Sequence, residues 1–281
     1  MFLKTKSYNE IVRRPLRLPR IFEYWHLLGL DAPSIVALWA WAFARGSSLQ
    51  LPPATLAILA LGTWLVYVSD RLLDVLLEQE DIRKRHIFHK NHWRMFLVAA
   101  VLVLGTIVYL ALFQMPYQAM REDAALFAIA IVYFIGVHLR GKLHLPKEMI
   151  VGLIFALATA VPTWSRLDPS NTGSLIPVLA FALVAWLNCW AIEVWESTTI
   201  DRRRLSAIVS KYSLWLAIPL TTVALYTGEQ LAGIAAISAF LLFVIDRRRG
   251  HWATMTLRVA ADAAMLTPLL LMLVDYLSSR Q

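Results

Sequence analysis

Two stretches of this chain carry carboxylates at spacings that can do chemistry. Between Tyr67 and Glu78, the residues Asp70, Asp74 and Glu78 recur at i, i+4 and i+8. On a helix they form one stripe. Like charges stacked on one face repel unless a cation bridges them, and hard oxygen donors with room for water and phosphate suit Mg²⁺. The second stretch holds Asn188, Glu193 and Glu196, with Asp201 just beyond. Asn188 and Glu196 fall about 80° apart on a helical wheel, and Glu193 lies on the far side of Glu196. The candidate metal ligands are therefore Asp70, Asp74, Glu78, Glu193, Glu196 and Asp201. The candidate catalytic residues are Asp70, Asp74, Asn188 and Glu196.

Plainer readings stand beside these. Asp70 can pair with Arg71 or Arg94, and Glu196 with Arg202 or Arg203. Arg258 and Asp262, at i and i+4 in the last apolar run, read as a structural ion pair inside a bundle. The run from Asp81 to His92 is rich in Arg, Lys and His. It can clamp a diphosphate, or rest on anionic lipid. Its three histidines, His86, His89 and His92, have no neighbouring Cys or carboxylate that would complete a transition-metal site.

The elements that must carry these residues are membrane helices. Of 281 residues, 59% are hydrophobic and 16% charged, whereas soluble domains run near 45–50% and about 25%. Eleven Trp and nine Tyr fit aromatic belts at headgroup level. Nine apolar segments are expected as spans, at 33–43, 52–73, 95–113, 124–137, 149–164, 175–195, 212–226, 231–245 and 253–277. Pro162, Pro219 and Pro268 fall inside them and should kink them, opening a central cavity in the bundle. With the N-terminus in the cytoplasm, 22 of the 27 Lys and Arg fall in inner loops. Only Arg45, Arg121, Arg166 and Arg280 fall outside, which satisfies the positive-inside rule and puts the C-terminus outside. Both acidic stretches then face the cytoplasm.

The net charge of +8 is spread over these short loops, which argues against nucleic acid as the partner and for the lipid bilayer. Residues 1–32 read as a basic cytoplasmic arm followed by an amphipathic segment, 21–30, that lies on the membrane surface. Residues 33–281 read as a single transmembrane domain. The fold class is all-α, a polytopic membrane bundle. The one cysteine, Cys189, sits in an apolar run as a packing residue.

Nine spans with aspartate motifs at the cytoplasmic ends of the second and sixth resemble the UbiA superfamily of intramembrane prenyltransferases. The first motif of that family reads NxxxDxxxD, and Asp70 and Asp74 match its aspartates, while Val66 stands where the family has Asn. In the second motif, DxxxDxxxD, Glu193 and Asp201 match the outer positions and Ser197 replaces the middle one. Asn188 and Glu196 are the candidate substitutes. The likeness spans the chain in topology but only about a dozen residues in motif. It implies Mg²⁺ held by Asp70, Asp74 and Glu196 against an isoprenyl diphosphate, with Arg83, Lys84, Lys142 and Arg203 as phosphate clamps. Tyr67, Tyr133, Trp186, Trp190 and Trp195 are candidates to face a carbocation. A lipophilic or aromatic acceptor would make the chain a prenyltransferase, and attack by the substrate's own double bonds would make it a terpene cyclase. An ion transporter or lipid-binding protein is the non-enzymatic alternative.

Overall fold

Apolar runs punctuated by Gly, Pro and polar turns build eleven α-helices among the residues described by a computed structural model. Those residues are 19–76, 84–115, 117, 120–121, 147–167, 175–196 and 202–280, with side chains at 74–76, 84–86, 147–148 and 202–207 excepted. The helices are α1 (Arg20–Leu27), α2 (Asp31–Gly46), α3 (Pro53–Leu76), α4 (Lys84–Asn91), α5 (Trp93–Gln114) and α6 (Lys147–Trp164). They continue as α7 (Leu175–Glu196), α8 (Arg202–Thr227), α9 (Gln230–Arg248), α10 (Thr254–Ala263) and α11 (Leu269–Ser278). No strand occurs among the described residues.

Five helices are long and apolar enough to cross a membrane, and seven if each of two bent pairs makes one span. Nine were expected. Segment 33–43 proves to be one arm of a pair, α1 and α2, bent by 84°, and segment 253–277 breaks by 42° between α10 and α11, at Pro268. The apolar part of α6, Met149–Trp164, falls short of span length. Segment 124–137 lies outside the described residues. Pro162 and Pro219, expected to kink their spans, lie within single continuous helices, α6 and α8.

The right-angled elbow turns α1 across the line of α2. Ile21, Phe22 and Tyr24 are exposed on that helix while His26 is wholly buried. The turn is a Schellman motif. Gly29 N–H bonds the His26 carbonyl at 3.0 Å, and Leu30 N–H bonds that of Trp25 at 3.0 Å. Gly29 holds φ at +70°, the left-handed conformation such a cap requires.

The core gathers around α2 and α7. Trp39 is fully buried and stacks on Phe181 with ring centroids 4.3 Å apart, and its indole N–H donates to the Met265 carbonyl at 2.9 Å. Within lipid, helices associate through close packing more than through the hydrophobic effect, so small residues are needed at the seams. On α6 these are Gly152, Ala156 and Ala160 at successive i+4 steps. A Cβ on Gly152 would lie 2.7 Å from the Trp186 backbone nitrogen of α7. By contrast, α5 leaves Val101, Leu102, Leu112 and Phe113 exposed, as suits a lipid-facing helix.

Candidate functional site

One end of the bundle is polar inside. It is assembled from the C-terminal parts of α3, α7 and α9, the start of α2 and the α10 helix. The α3 face carries Trp64, Tyr67 and Arg71 at i, i+3 and i+7, so they form one stripe against the elbow. Trp64 donates its indole N–H to the Leu28 carbonyl at 2.9 Å. Arg71 is 98% buried by side-chain packing, its exposure being 2%. Its guanidinium lies 3.8 Å from the centre of the Tyr67 ring and donates to the His26 carbonyl at 3.3 Å.

The elbow explains why charge is tolerated there. The carbonyl end of α1 carries partial negative charge and meets Arg71, while the amide end of α2 carries partial positive charge and meets Asp31. Asp31 is 2% exposed, and its Oδ1 accepts the Ala32 N–H at 3.0 Å. Each helix terminus thus faces a charge of opposite sign.

From Tyr67 a chain of polar contacts crosses the bundle. The Tyr67 hydroxyl donates to Asp31 Oδ2 at 3.2 Å. The same Oδ2 lies 2.5 Å from His26 Nδ1. Asp262 Oδ2, on α10, approaches that nitrogen to 3.5 Å. Asn188 Nδ2, on α7, donates to Asp262 Oδ1 at 3.2 Å. His26, Asp31 and Asp262 are all buried, and their ligating atoms lie within 4.8 Å of one another. Asn188 stands eight residues before the end of α7, about 12 Å along the helix.

Beside this chain, Arg258 grips both oxygens of Glu196 at 2.9 and 3.0 Å. Arg258 and Asp262 were expected to pair within the last span, and the guanidinium instead bridges α10 to α7. Nearer the ends of α7 and α9, buried Asp246 accepts the indole N–H of Trp195 at 2.9 Å, the hydroxyl of Ser210 and the guanidinium of Arg249 at 2.9 Å.

Several buried polar atoms at this end have no hydrogen-bond partner among the described residues: His26 Nε2, Arg71 Nη2, Asn188 Oδ1 and Arg258 Nε. Such atoms are costly when left unpaired.

The sequence-derived candidates divide accordingly. Asp70 and Asp74 both lie on continuous α3, whose register keeps them on one face, and Asp70 is partly exposed. Glu193 is exposed on α7. Glu196 is engaged with Arg258, and Asn188 with Asp262. Glu78, Arg83, Lys142, Asp201 and Tyr133 lie outside the described residues, as do the side chains of Asp74, Lys84 and Arg203. Among the aromatic candidates, Tyr67 has a ring face taken by Arg71, Trp195 is tied to Asp246, and Trp186 stacks with Trp190 at 6.1 Å. The histidine run packs: His89 is fully buried and stacks on Phe96 at 4.1 Å.

His26, Asp31 and Asp246 were not singled out in the sequence. A carboxylate standing at the mouth of an apolar run, as Asp31 does, was the available signal. Comparison with protein-family models, curated proteins and solved structures finds no match to this chain.

Proposed function

We propose that this protein is an Mg²⁺-dependent intramembrane enzyme that ionises an isoprenyl diphosphate and transfers the prenyl group to a lipophilic or aromatic acceptor. The observation that carries the reading is a pair of buried guanidinium groups with spare N–H donors, Arg71 Nη2 and Arg258 Nε. Arg71 lies on α3 within the first acidic stretch, and Arg258 on α10 holds Glu196 of the second. Buried donors seek an acceptor, and phosphate oxygens match a guanidinium fork. Asp70 and Asp74 on one face of α3 supply the oxygen donors that Mg²⁺ prefers. Glu196 enters as the residue that orients Arg258. Glu78, Glu193 and Asp201 remain candidate metal ligands of this reading, and Arg83, Lys84, Lys142 and Arg203 its candidate phosphate clamps, as the sequence motifs imply.

In this reading the protein's own groups do three things. Arg71 and Arg258 take the oxyanions of the leaving diphosphate as the allylic C–O bond breaks and its electron pair departs with oxygen. Bound Mg²⁺ would neutralise further charge on the same leaving group. The apolar core around Phe181 and Trp186 would exclude water from the cation until the acceptor carbon bonds to it and gives up its proton to the released diphosphate. Nine spans around a central cavity, with the N-terminus and both acidic helix ends in the cytoplasm, belong to the same proposal.

The test is diphosphate release from geranylgeranyl or farnesyl diphosphate by purified protein with Mg²⁺. Release that requires an aromatic acceptor supports transfer. Release without acceptor, giving a cyclic hydrocarbon, supports a terpene cyclase instead. Asp70→Asn and Arg71→Met should each lower release at least tenfold while the protein stays folded. Wild-type rates in both variants, or no release from the folded wild type with either substrate, reject the enzyme.

A further inference from the structure

We propose that His26, Asp31 and Asp262 bind one divalent first-row transition-metal ion, at a site separate from the acidic stretches of α3 and α7. Both carboxylates address a single ring nitrogen: Asp31 Oδ2 stands 2.5 Å and Asp262 Oδ2 3.5 Å from His26 Nδ1. That nitrogen carries at most one proton, and one proton makes one strong hydrogen bond. The second oxygen aimed at it, Asp262 Oδ2, therefore has no donor of its own among the described residues. A dication accepts a lone pair from all three atoms at once. Ligand atoms held about 2.1 Å from a common ion, at roughly right angles, lie about 3 Å apart. The two separations from Nδ1 straddle that value, and all three ligand atoms lie within 4.8 Å of one another, so the carboxylates have to draw in around the ion to close the site.

The surroundings are those of a ligand shell. Each carboxylate has one oxygen turned to the histidine and is steadied by a neighbour: Tyr67 hydroxyl and Ala32 N–H on Asp31, Asn188 Nδ2 on Asp262. Outer contacts of this kind orient metal ligands in metalloproteins. Two buried polar atoms at the cluster lack partners, Asn188 Oδ1 and His26 Nε2, in residues 7% and 0% exposed. A water on the ion's open position is a natural partner for the Asn188 oxygen. Two carboxylates neutralise the charge of a dication, and one imidazole nitrogen shifts preference from Mg²⁺ to Zn²⁺, Mn²⁺ or Fe²⁺. The site does not depend on the isoprenoid reading.

The experiment measures Mn²⁺ binding to purified, metal-stripped protein by loss of the free-ion electron paramagnetic resonance signal, with Zn²⁺ as competitor. One Mn²⁺ per chain, displaced by Zn²⁺, is expected. Asp31→Asn and Asp262→Asn should each weaken binding by at least about 100-fold, and Asn188→Leu by about 10- to 100-fold. Asp70→Asn should leave this binding unchanged even though it is expected to lower diphosphate release at least tenfold. Saturating Zn²⁺ should also raise the unfolding temperature of the wild type and not that of Asp262→Asn. Absence of stoichiometric binding to folded wild type overturns the proposal. So does binding that survives both Asp variants, or binding lost in Asp70→Asn.

Discussion

Asn188 Nδ2 and Asp262 Oδ1 meet at 3.2 Å, and this bond, beside the Arg258–Glu196 pair, joins α7 to α10 inside the bundle. Asp262 has no other described donor on that oxygen. Replacing Asn188 by Leu therefore leaves a buried carboxylate oxygen bare, at an expected cost of about 1–3 kcal/mol. Asn188→Asp should cost more, since it sets two carboxylates against each other. Thermal unfolding in detergent should rank the proteins wild type, Leu variant, Asp variant. An Asp variant as stable as wild type would mean that the amide is not needed at Asp262.

The Arg258–Glu196 pair is 13% and 12% exposed at its side chains, so breaking it strands a mostly buried charge. Arg258→Met alone is expected to lose about 3–5 kcal/mol. Combining it with Glu196→Gln should recover much of that loss, because the carboxylate charge that Arg258 balanced is then gone as well. Stability of the two singles and the double closes the cycle. Strict additivity would show that the pair is not coupled.

Two left-handed caps make opposite forecasts. Gly29→Ala places a Cβ at φ +70° and 3.0 Å from the Tyr67 ring, which should cost about 1–2 kcal/mol and loosen the α1–α2 elbow. Ser48 ends α2 in the same conformation, at φ 55°, with Leu49 N–H bonded to the Ala44 carbonyl at 2.7 Å. Ser48→Gly relieves a strain that serine bears and should raise the unfolding temperature. Equal responses at the two sites would contradict the cap geometry.

What the linear chain determined follows from short-range periodicity. Twenty-residue apolar runs make membrane helices because backbone polar groups in lipid must bond within their own segment. The i, i+4 spacing of Asp70 and Asp74 places both on one face of α3 because that register is a property of the helix alone. The angle of about 80° between Asn188 and Glu196 follows from the same helical register. Span number was less legible, since a break such as Pro268 divides a run, 253–277, that composition joins.

Only the tertiary structure decided which polar residues meet. His26 and Asp31 come from one end of the chain and Asp262 from the other, and no local pattern links them. Their meeting depends on the 84° elbow, on the α3 stripe that receives it, and on how closely α7 and α10 approach. Arg258 likewise has Asp262 one turn away on its own helix and is drawn across to Glu196 instead. Helical spacing says which residues share a face. Packing says which faces touch, and a buried charge takes the partner that packing brings to it.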